Sequence, residues 1–463
     1  MADSSKTVVI GGGVSGLATA YFLGKLGIRP TLVEKSNRLG GLIQTDLVEG
    51  CQLEAGPDSF LAAKGSVAQL AGELGDLADQ MIGSNDAQRR IYVVRDGRLV
   101  PMPCGMVMMA PAEWGPVLRS ELFSVKTKLR FLLEPFTSPR HRSDDVSVGQ
   151  LVLEHFGKEV LEYLAEPLLA GVYGGDSAAL SAESVLPRFV GYERDYGSLI
   201  KGVRRETRQQ PHSGGIFRSF SGGMQSLTDA LINAIRASSE VVHAEVTQVE
   251  EGTGGGWRVK AKGEWISADS VVLACTSHVA SNLLESAAPS LSGALAKIPY
   301  SSAILATFVY RRSELMHPLD GFGFLVPSAE RETVAAATWI NTKFPTRLPK
   351  EFAAIRAFIV GSDAAGLLHA SAEEIVQVVR GQLDRIMGIK SDPLFYKIAF
   401  WPASMPQYTV GHRERRQFIN GCLTCLEGLY LVGNAYEGVG IPDCVRLAKE
   451  AAGQIATRLL HGE

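Results

Sequence analysis

The chain has little of what builds metal centres and disulfide frameworks. Only six of its 463 residues are cysteine. Of these, Cys51, Cys104, Cys275 and Cys444 stand alone, and only Cys422 and Cys425 are close, as Cys-Leu-Thr-Cys. A structural zinc would need a second pair at a similar spacing, and there is none. A thioredoxin-type redox pair would open a helix after a strand, and this one does not, so reduced thiols are expected. Net charge is also small, −3, which removes the electrostatic footprint of a nucleic-acid partner. No run of eighteen apolar residues occurs, so no spanning helix is expected. A strand pattern begins by Thr7, which leaves no room for a leader and points to the cytoplasm. Near the motifs described below there is no Ser-His-Asp spacing, no metal cluster and no pair of carboxylates.

What is present is apolar residue and glycine. At 46% apolar and 21% charged, the composition is that of a globular protein, and 463 residues can hold two cores. The strongest local pattern is at the start. Thr7 to Ile10 reads as a buried parallel strand, and Gly11, Gly13 and Gly16 follow in G-x-G-x-x-G spacing. Gly12, Val14 and Ser15 complete the turn. A helical stripe then runs through Leu17, Ala20, Tyr21, Leu23 and Leu26 to a stop at Gly27. Gly11 permits the tight turn, Gly13 lets a pyrophosphate approach the backbone, and Gly16 lets the helix pack close on the strand. The pyrophosphate would rest on the free N–H groups of the helix N-terminus. A second strand, 30–33, ends at Glu34, eighteen residues beyond Gly16, where a carboxylate can accept hydrogen bonds from the ribose of an adenine dinucleotide.

Lys35-Ser36-Asn37-Arg38-Leu39-Gly40-Gly41 follows Glu34 directly. This extension resembles the FAD-binding fingerprint of the flavoprotein oxidase superfamily that includes amine oxidases and phytoene desaturases. The resemblance puts Lys35, Arg38, Gly40 and Gly41 beside the cofactor, near its diphosphate. Further on, Glu54-Ala55-Gly56-Pro57-Asp58-Ser59-Phe60, the hairpin pattern of 90–103, the stretch 170–181 and above all Tyr436-Glu-Gly-Val-Gly-Ile-Pro-Asp-Cys444 narrow the likeness. They resemble the oxygen-dependent oxidases of protoporphyrinogen IX and coproporphyrinogen III in haem synthesis, over essentially the whole chain.

The resemblance implies an α/β fold: a Rossmann-type FAD-binding domain (1–65, 211–290 and 415–463), an inserted mixed-sheet substrate domain (66–104 and 291–414) and a helical, membrane-associating domain (105–210). It implies cofactor contacts at Gly56, Pro57, Asp58 and Ser59, at Val246 beside the adenine half, at Trp401 near the flavin, and at Gly433, Val439, Gly440 and Ile441. Helix N-terminal N–H groups at this last place can stabilise negative charge on the reduced flavin. It implies a substrate site with Arg90 on a propionate, the backbone of Gly171 on the macrocycle, and Leu325 and Phe358 clamping it. Read as bare residues, each of these is an ordinary turn, core or surface position.

Residues 119–142 carry Arg119, Lys126, Lys128, Arg130, Arg140 and Arg142 against Glu121 and Glu134, interleaved with leucine and phenylalanine. Such a surface can lie on an anionic leaflet or be a solvated helix face over a local core, and the resemblance favours the first. Residues 147–168 read as one helix closed by a glycine-rich turn at 170–175, 201–210 as a mobile loop, and 243–249 as one strand. The expected activity is hydride transfer from protoporphyrinogen IX to FAD with dioxygen as final acceptor, or the same chemistry on coproporphyrinogen III. An amine or carotenoid oxidase and a non-catalytic module of this fold, like the GDP-dissociation inhibitors, are the rival readings. Expected partners are the porphyrinogen, dioxygen and, peripherally, the inner face of the cell membrane, with a homodimer as the assembly and no nucleic acid.

Overall fold

The computed structural model describes residues 6–209 and 215–461. The first strand, Thr7–Ile10, is buried at all four positions and pairs in parallel with Pro30–Glu34 on one side and Ser270–Leu273 on the other. Glu240–His243 and Leu429–Leu431 complete a five-stranded, all-parallel sheet. Strands that run through a core are buried on both faces, which is why 8–10 and 271–273 are apolar without alternation. Val9, Leu32 and Val272 meet the helices Val14–Lys25, Gln225–Ile235 and Ile441–His461. Val8, Ile10, Val33, Val271 and Leu273 meet the opposite core. That core is closed by the antiparallel meander Val246–Glu251, Trp257–Ala261 and Glu264–Ala268 and by two short helices, Ser277–Leu283 and Pro289–Ala296.

The second sheet has seven strands in the order Phe395–Pro406, Tyr300–Arg311, Phe352–Val360, Ala336–Trp339, Gly323–Leu325, Ile91–Arg95 and Arg98–Pro101. All its pairs are antiparallel except Gly323–Leu325 with Ile91–Arg95. Ile304, Ala306, Phe308, Tyr310, Ile355 and Ile359 alternate onto one face and pack under the helix Ala372–Met387, which Ser371 and Glu374 start with a capping box. The other face is covered at one end by the hairpin Thr45–Val48/Cys51–Glu54. The third body is helical, from Trp114–Arg119 to Leu199–Gln209, around a core of its own.

Three local expectations are corrected. The helix expected over 147–168 breaks after Val148–His155 at Gly157, whose φ of +85° suits glycine. It resumes at Lys158–Val160, widens into a π-segment, Leu161–Ala165, and continues as Glu166–Tyr173. Pro167 has no N–H to give the preceding turn, and a widened turn absorbs that loss. Gly171 therefore lies inside a helix, and the left-handed stop is Gly174. Residues 201–209 are helix, not loop; Gln210 lies outside the described residues. Glu134 accepts the N–H groups of Leu199 (2.7 Å) and Ile200 (3.3 Å) at the N-terminus of that helix, and Val203 buries its apolar side. The strand expected over 243–249 is two. The chain leaves the parallel sheet where the Ala244 N–H meets the Glu34 carbonyl at 2.8 Å, then enters the meander.

Candidate active site

The site is built at the carboxyl edge of the parallel sheet, where open α/β sheets hold their ligands. Gly11 turns the chain there with φ +108°, and a Cβ on it would stand 2.7 Å from the Ala274 carbonyl oxygen. A Cβ on Gly16 would stand 1.8 Å from the Gly11 carbonyl oxygen, so only glycine lets the helix start this close to the strand. The helix begins at Val14 with Gly13 extended ahead of it and Ser15 buried in its first turn. Glu34 ends its strand with Oε2 accepting the Gly12 N–H at 2.6 Å and Oε1 accepting the Ser36 N–H at 2.9 Å.

A second glycine turn lies against the first. The Gly40 N–H donates to the Gly12 carbonyl at 2.8 Å, and a Cβ on Gly41 would be 3.0 Å from the Gly13 Cα. Arg38 fastens this turn, donating to the carbonyls of Leu39 and Ile43 at 3.1 Å each and to that of Gly41. Its guanidinium thus shapes the cradle, while Lys35 is exposed. Val246, half-buried, comes three residues after His243, which pairs with Glu34. Gly433 follows the last parallel strand, and Val439 is half-buried against the helical core. Gly440 and Ile441 open the C-terminal helix, where Asp443 accepts the Gly440 N–H at 3.3 Å and is held by Lys64 at 2.6 Å.

The loop 55–59 crosses from this frame to the seven-stranded sheet. Trp401 Nε1 donates to the Ala55 carbonyl at 2.6 Å, and Arg356 donates to that of Gly56. Gly56 itself abuts the Leu42 carbonyl. Pro57 leads into Asp58, whose carboxylate is taken by Lys343 at 2.8 and 2.9 Å, with Ser59 bridging the pair. Arg347 pairs with Glu54 at 2.9 Å and also donates to the Asp58 carbonyl at 3.1 Å. Burial works to raise the pKa of Asp58, but Lys343, Arg356 and Arg347 outweigh it and hold the carboxyl far below the usual range. For Glu54 burial wins over Arg347, and its pKa is raised. The Asp58 side chain therefore serves the sheet. Sequence reasoning missed Lys343, Arg347 and Arg356, although a lone arginine in the apolar run Phe352-Ala-Ala-Ile-Arg-Ala-Phe-Ile-Val was a visible signal.

On the free face of the sheet, Leu325, Ala336, Phe358, Leu305 and Ala399 form one cross-strand row. The next row holds Val360, Ala303 and Trp401. Ala170 packs here with Phe358, Trp401 and Met405, which brings Glu166–Tyr173 over the sheet. Ser301 fixes the end of that helix through the Gly174 carbonyl at 2.7 Å. Gly171 is exposed, and a Cβ on it would meet nothing within 4 Å. The structure thus gathers Leu325, Phe358, Trp401 and the 170–171 backbone. Arg90 stands outside these rows, directly before the strand Ile91–Arg95. The Arg90 guanidinium contacts the Tyr92 hydroxyl at 3.2 Å and the Asp320 carboxylate, and Tyr92 packs with Phe324 and Trp339 on the opposite face. Cys422 and Cys425 are free thiols at the end of the helix His412–Leu423. Among the described residues, no group of three or more His, Cys, Asp or Glu could hold a metal.

A dinucleotide frame at a sheet edge, joined by a gripped loop to an apolar sheet face, defines an FAD-dependent oxidoreductase. The double glycine cradle and the Glu34 carboxylate fit an adenine dinucleotide. The model of the flavin containing amine oxidoreductase family matches residues 14–456, and the chain belongs to that family. Within it, the chain is 32% identical to coproporphyrinogen III oxidase of Bacillus subtilis, covering 99% of this chain and 100% of that protein. It is 27% identical to the mitochondrial protoporphyrinogen oxidase of Nicotiana tabacum, over 99% and 96%. A solved structure from Exiguobacterium sp. 255-15, assigned to the protoporphyrinogen oxidases, superposes with a TM-score of 0.87 at 29% identity, covering 98% of this chain and 99% of that one.

Proposed function

We propose that this enzyme oxidises a porphyrinogen of haem synthesis to the porphyrin, protoporphyrinogen IX on the first reading. Coproporphyrinogen III is the second reading, favoured by the 32% identity to the Bacillus subtilis enzyme of that name. The observation that carries the proposal is the half-buried apolar row of Leu325 and Phe358 beside the nucleotide frame, as an apolar macrocycle requires. FAD, when bound, supplies the hydride acceptor, and dioxygen takes up the electrons as hydrogen peroxide.

The chain's residues do the rest. Glu34 holds the ribose, the N–H groups ahead of Ser15 and the Gly40–Gly41 turn hold the diphosphate, and Val246 lines the adenine side. The loop from Gly56 to Ser59, Trp401, Gly433 and the Val439–Ile441 turn enclose the flavin. Leu325 and Phe358 clamp the macrocycle and exclude water, with the Gly171 backbone opposite. Arg90 would take a propionate by exchanging its Asp320 partner for the substrate. The nucleotide frame, the seven-stranded sheet and the helical body act as cofactor, substrate and docking domains with the boundaries given above.

The docking surface is smaller than the charge count suggested. Arg130 is spent on the carbonyls of Leu153, Glu154 and His155, and Arg140 and Arg142 on Glu154 and Glu193. Arg119, Lys126 and Lys128 remain beside the exposed ridge of Val125, Leu129, Leu133 and Phe136. No described helix is long and apolar enough to cross a membrane; the contact proposed is peripheral, and a homodimer is part of the same proposal. Purified protein assayed for porphyrin fluorescence on both porphyrinogens, with oxygen uptake followed, tests the reading. Turnover of neither, with flavin bound, would refute it.

A further inference from the structure

Five charged side chains are buried together beneath the 55–59 loop: Glu54, Asp58, Lys343, Arg347 and Arg356, the most open of them 16% exposed. Three are cations and two are carboxylates. The carboxylate next along the hairpin, Asp46, is matched by Lys397 at 3.2 Å and does not redress the balance. The cluster would be neutral with one cation fewer, yet a third cation is buried, and the Nε atoms of Arg347 and Arg356 have no partner among the described residues. Burying an unmatched charge is costly, so a cluster serving stability alone would be balanced. Arg356 stands two residues before Phe358 on the same face of the strand, its guanidinium 4.9 Å from the Phe358 ring centre, and it donates to the Gly56 carbonyl. The surplus charge therefore sits where the loop meets the floor of the substrate face.

We propose that Arg356 is a positioning residue for the cofactor-facing loop, and that the surplus positive charge of this cluster favours the reduced, more negative flavin over the oxidised one. The inference rests on the reading of residues 56–59 as cofactor-facing. In a dry interior a net charge acts across several ångströms without direct contact. Arg356 and Trp401 grip successive carbonyls, so the backbone of Ala55 and Gly56 is held against the sheet while the charge acts through it.

The test is the flavin midpoint potential, measured by dye equilibration, together with FAD content, in the wild type, Arg356→Met, Arg356→Lys and Glu54→Gln. Arg356→Met should weaken binding of reduced relative to oxidised FAD about tenfold, a fall of about 30 mV for a two-electron couple. Arg356→Lys keeps the charge and should hold the potential while loosening FAD. Glu54→Gln removes a negative charge and should move the potential upward. If Arg356→Met does not fold, the opposite-signed Glu54→Gln shift and the unmoved Arg356→Lys potential still decide. Potentials unchanged in Glu54→Gln, or displaced in the same direction as in Arg356→Met, would overturn the proposal even if FAD content falls. Wild-type protein unable to bind FAD would overturn both this proposal and the reading beneath it.

Discussion

Replacing Glu34 with alanine isolates the nucleotide frame from the rest of the enzyme. In the structure its carboxylate accepts two backbone N–H groups, from Gly12 at 2.6 Å and Ser36 at 2.9 Å. Ser36 is exposed and its N–H can turn to water in the variant, whereas Gly12 is buried and its N–H is left without a partner. The fold should therefore lose about 1 kcal/mol at Ser36 and about 1–3 kcal/mol at Gly12, a fall of several degrees in melting temperature. FAD binding should suffer separately. A charged acceptor on the ribose is worth about 1.5–3 kcal/mol, and each 1.4 kcal/mol is tenfold in affinity. Glu34→Ala should thus bind FAD between about tenfold and 150-fold more weakly and purify largely as apoprotein. The assay is titration of apoprotein with FAD, followed by quenching of flavin fluorescence, beside a thermal melt without FAD. Glu34→Gln retains one acceptor oxygen and should fall between the two. An alanine variant that takes up FAD within about twofold of the wild-type constant, well inside the tenfold step, would show that the ribose lies elsewhere.

Arg90→Ala should raise KM more than it lowers kcat, because a propionate far from the reacting methylene is held alike in ground and transition states. Being exposed and already paired with Asp320, Arg90 should contribute no more than about 1.5–3 kcal/mol; an unchanged KM in steady-state fluorescence assays would make it a rim residue. Phe136→Glu and Leu133→Glu should abolish binding to anionic vesicles in a flotation assay, and wild-type binding should weaken with salt over a screening length of about 8–10 Å; equal binding to neutral vesicles would remove the electrostatic part. His155 lies between Glu134 (2.8 Å) and Glu193 (3.2 Å). Burial lowers its pKa but the two carboxylates raise it further, so the net shift is upward. Its contribution to stability is complete below about 6.5 and is lost as pH rises through the raised value. Burial likewise opposes, but His155 and Arg142 lower, the Glu193 pKa to about 2, so that contribution is present above about 4.5 and lost as pH falls toward the lowered value. Thermal melts from about pH 5 to 9 should therefore decline on the alkaline side, and His155→Gln should flatten that limb; an identical slope in the variant would count against the clasp.

The nucleotide frame was legible because each of its parts is local. The turn, helix start and acid of residues 7–34 follow from spacing within one supersecondary unit. The strand Phe395–Pro406 was not read, because an edge strand with half-exposed residues on both faces shows no clean alternation. The helix over 199–209 was misread since its buried apolar residues, Leu199, Ile200 and Val203, are confined to its first half, while its start is fixed by Glu134, distant in sequence, and a cation lies over Trp114. Lys343, Arg347 and Arg356 were missed for a related reason, although Arg356 stands out in its apolar run. Their meaning depends on Glu54 and Asp58, nearly three hundred residues away in the case of Asp58 and Lys343. The place of Arg90 depended on which side of its strand packs against Trp339, which spacing alone does not say.

The parallel sheet has a consequence for how the protein comes into being. Its neighbouring strands Thr7–Ile10, Ser270–Leu273 and Leu429–Leu431 are drawn from the beginning, the middle and near the end of the chain. A chain emerging from the ribosome can form the first two strands and their helix early, but it must hold their apolar edge open until residue 273 and then residue 431 arrive. Closing such loops is entropically costly, and non-local pairing of this kind is slow. The unfinished sheet meanwhile exposes strand edges that invite aggregation. The helix Ile441–His461 buries itself against the helix that begins at Val14, so the cofactor cradle gains this wall only after residues 441–461 have been made. Loading of flavin should thus be a late event, and the supply of FAD in the cell should govern how much of the newly made chain survives to fold.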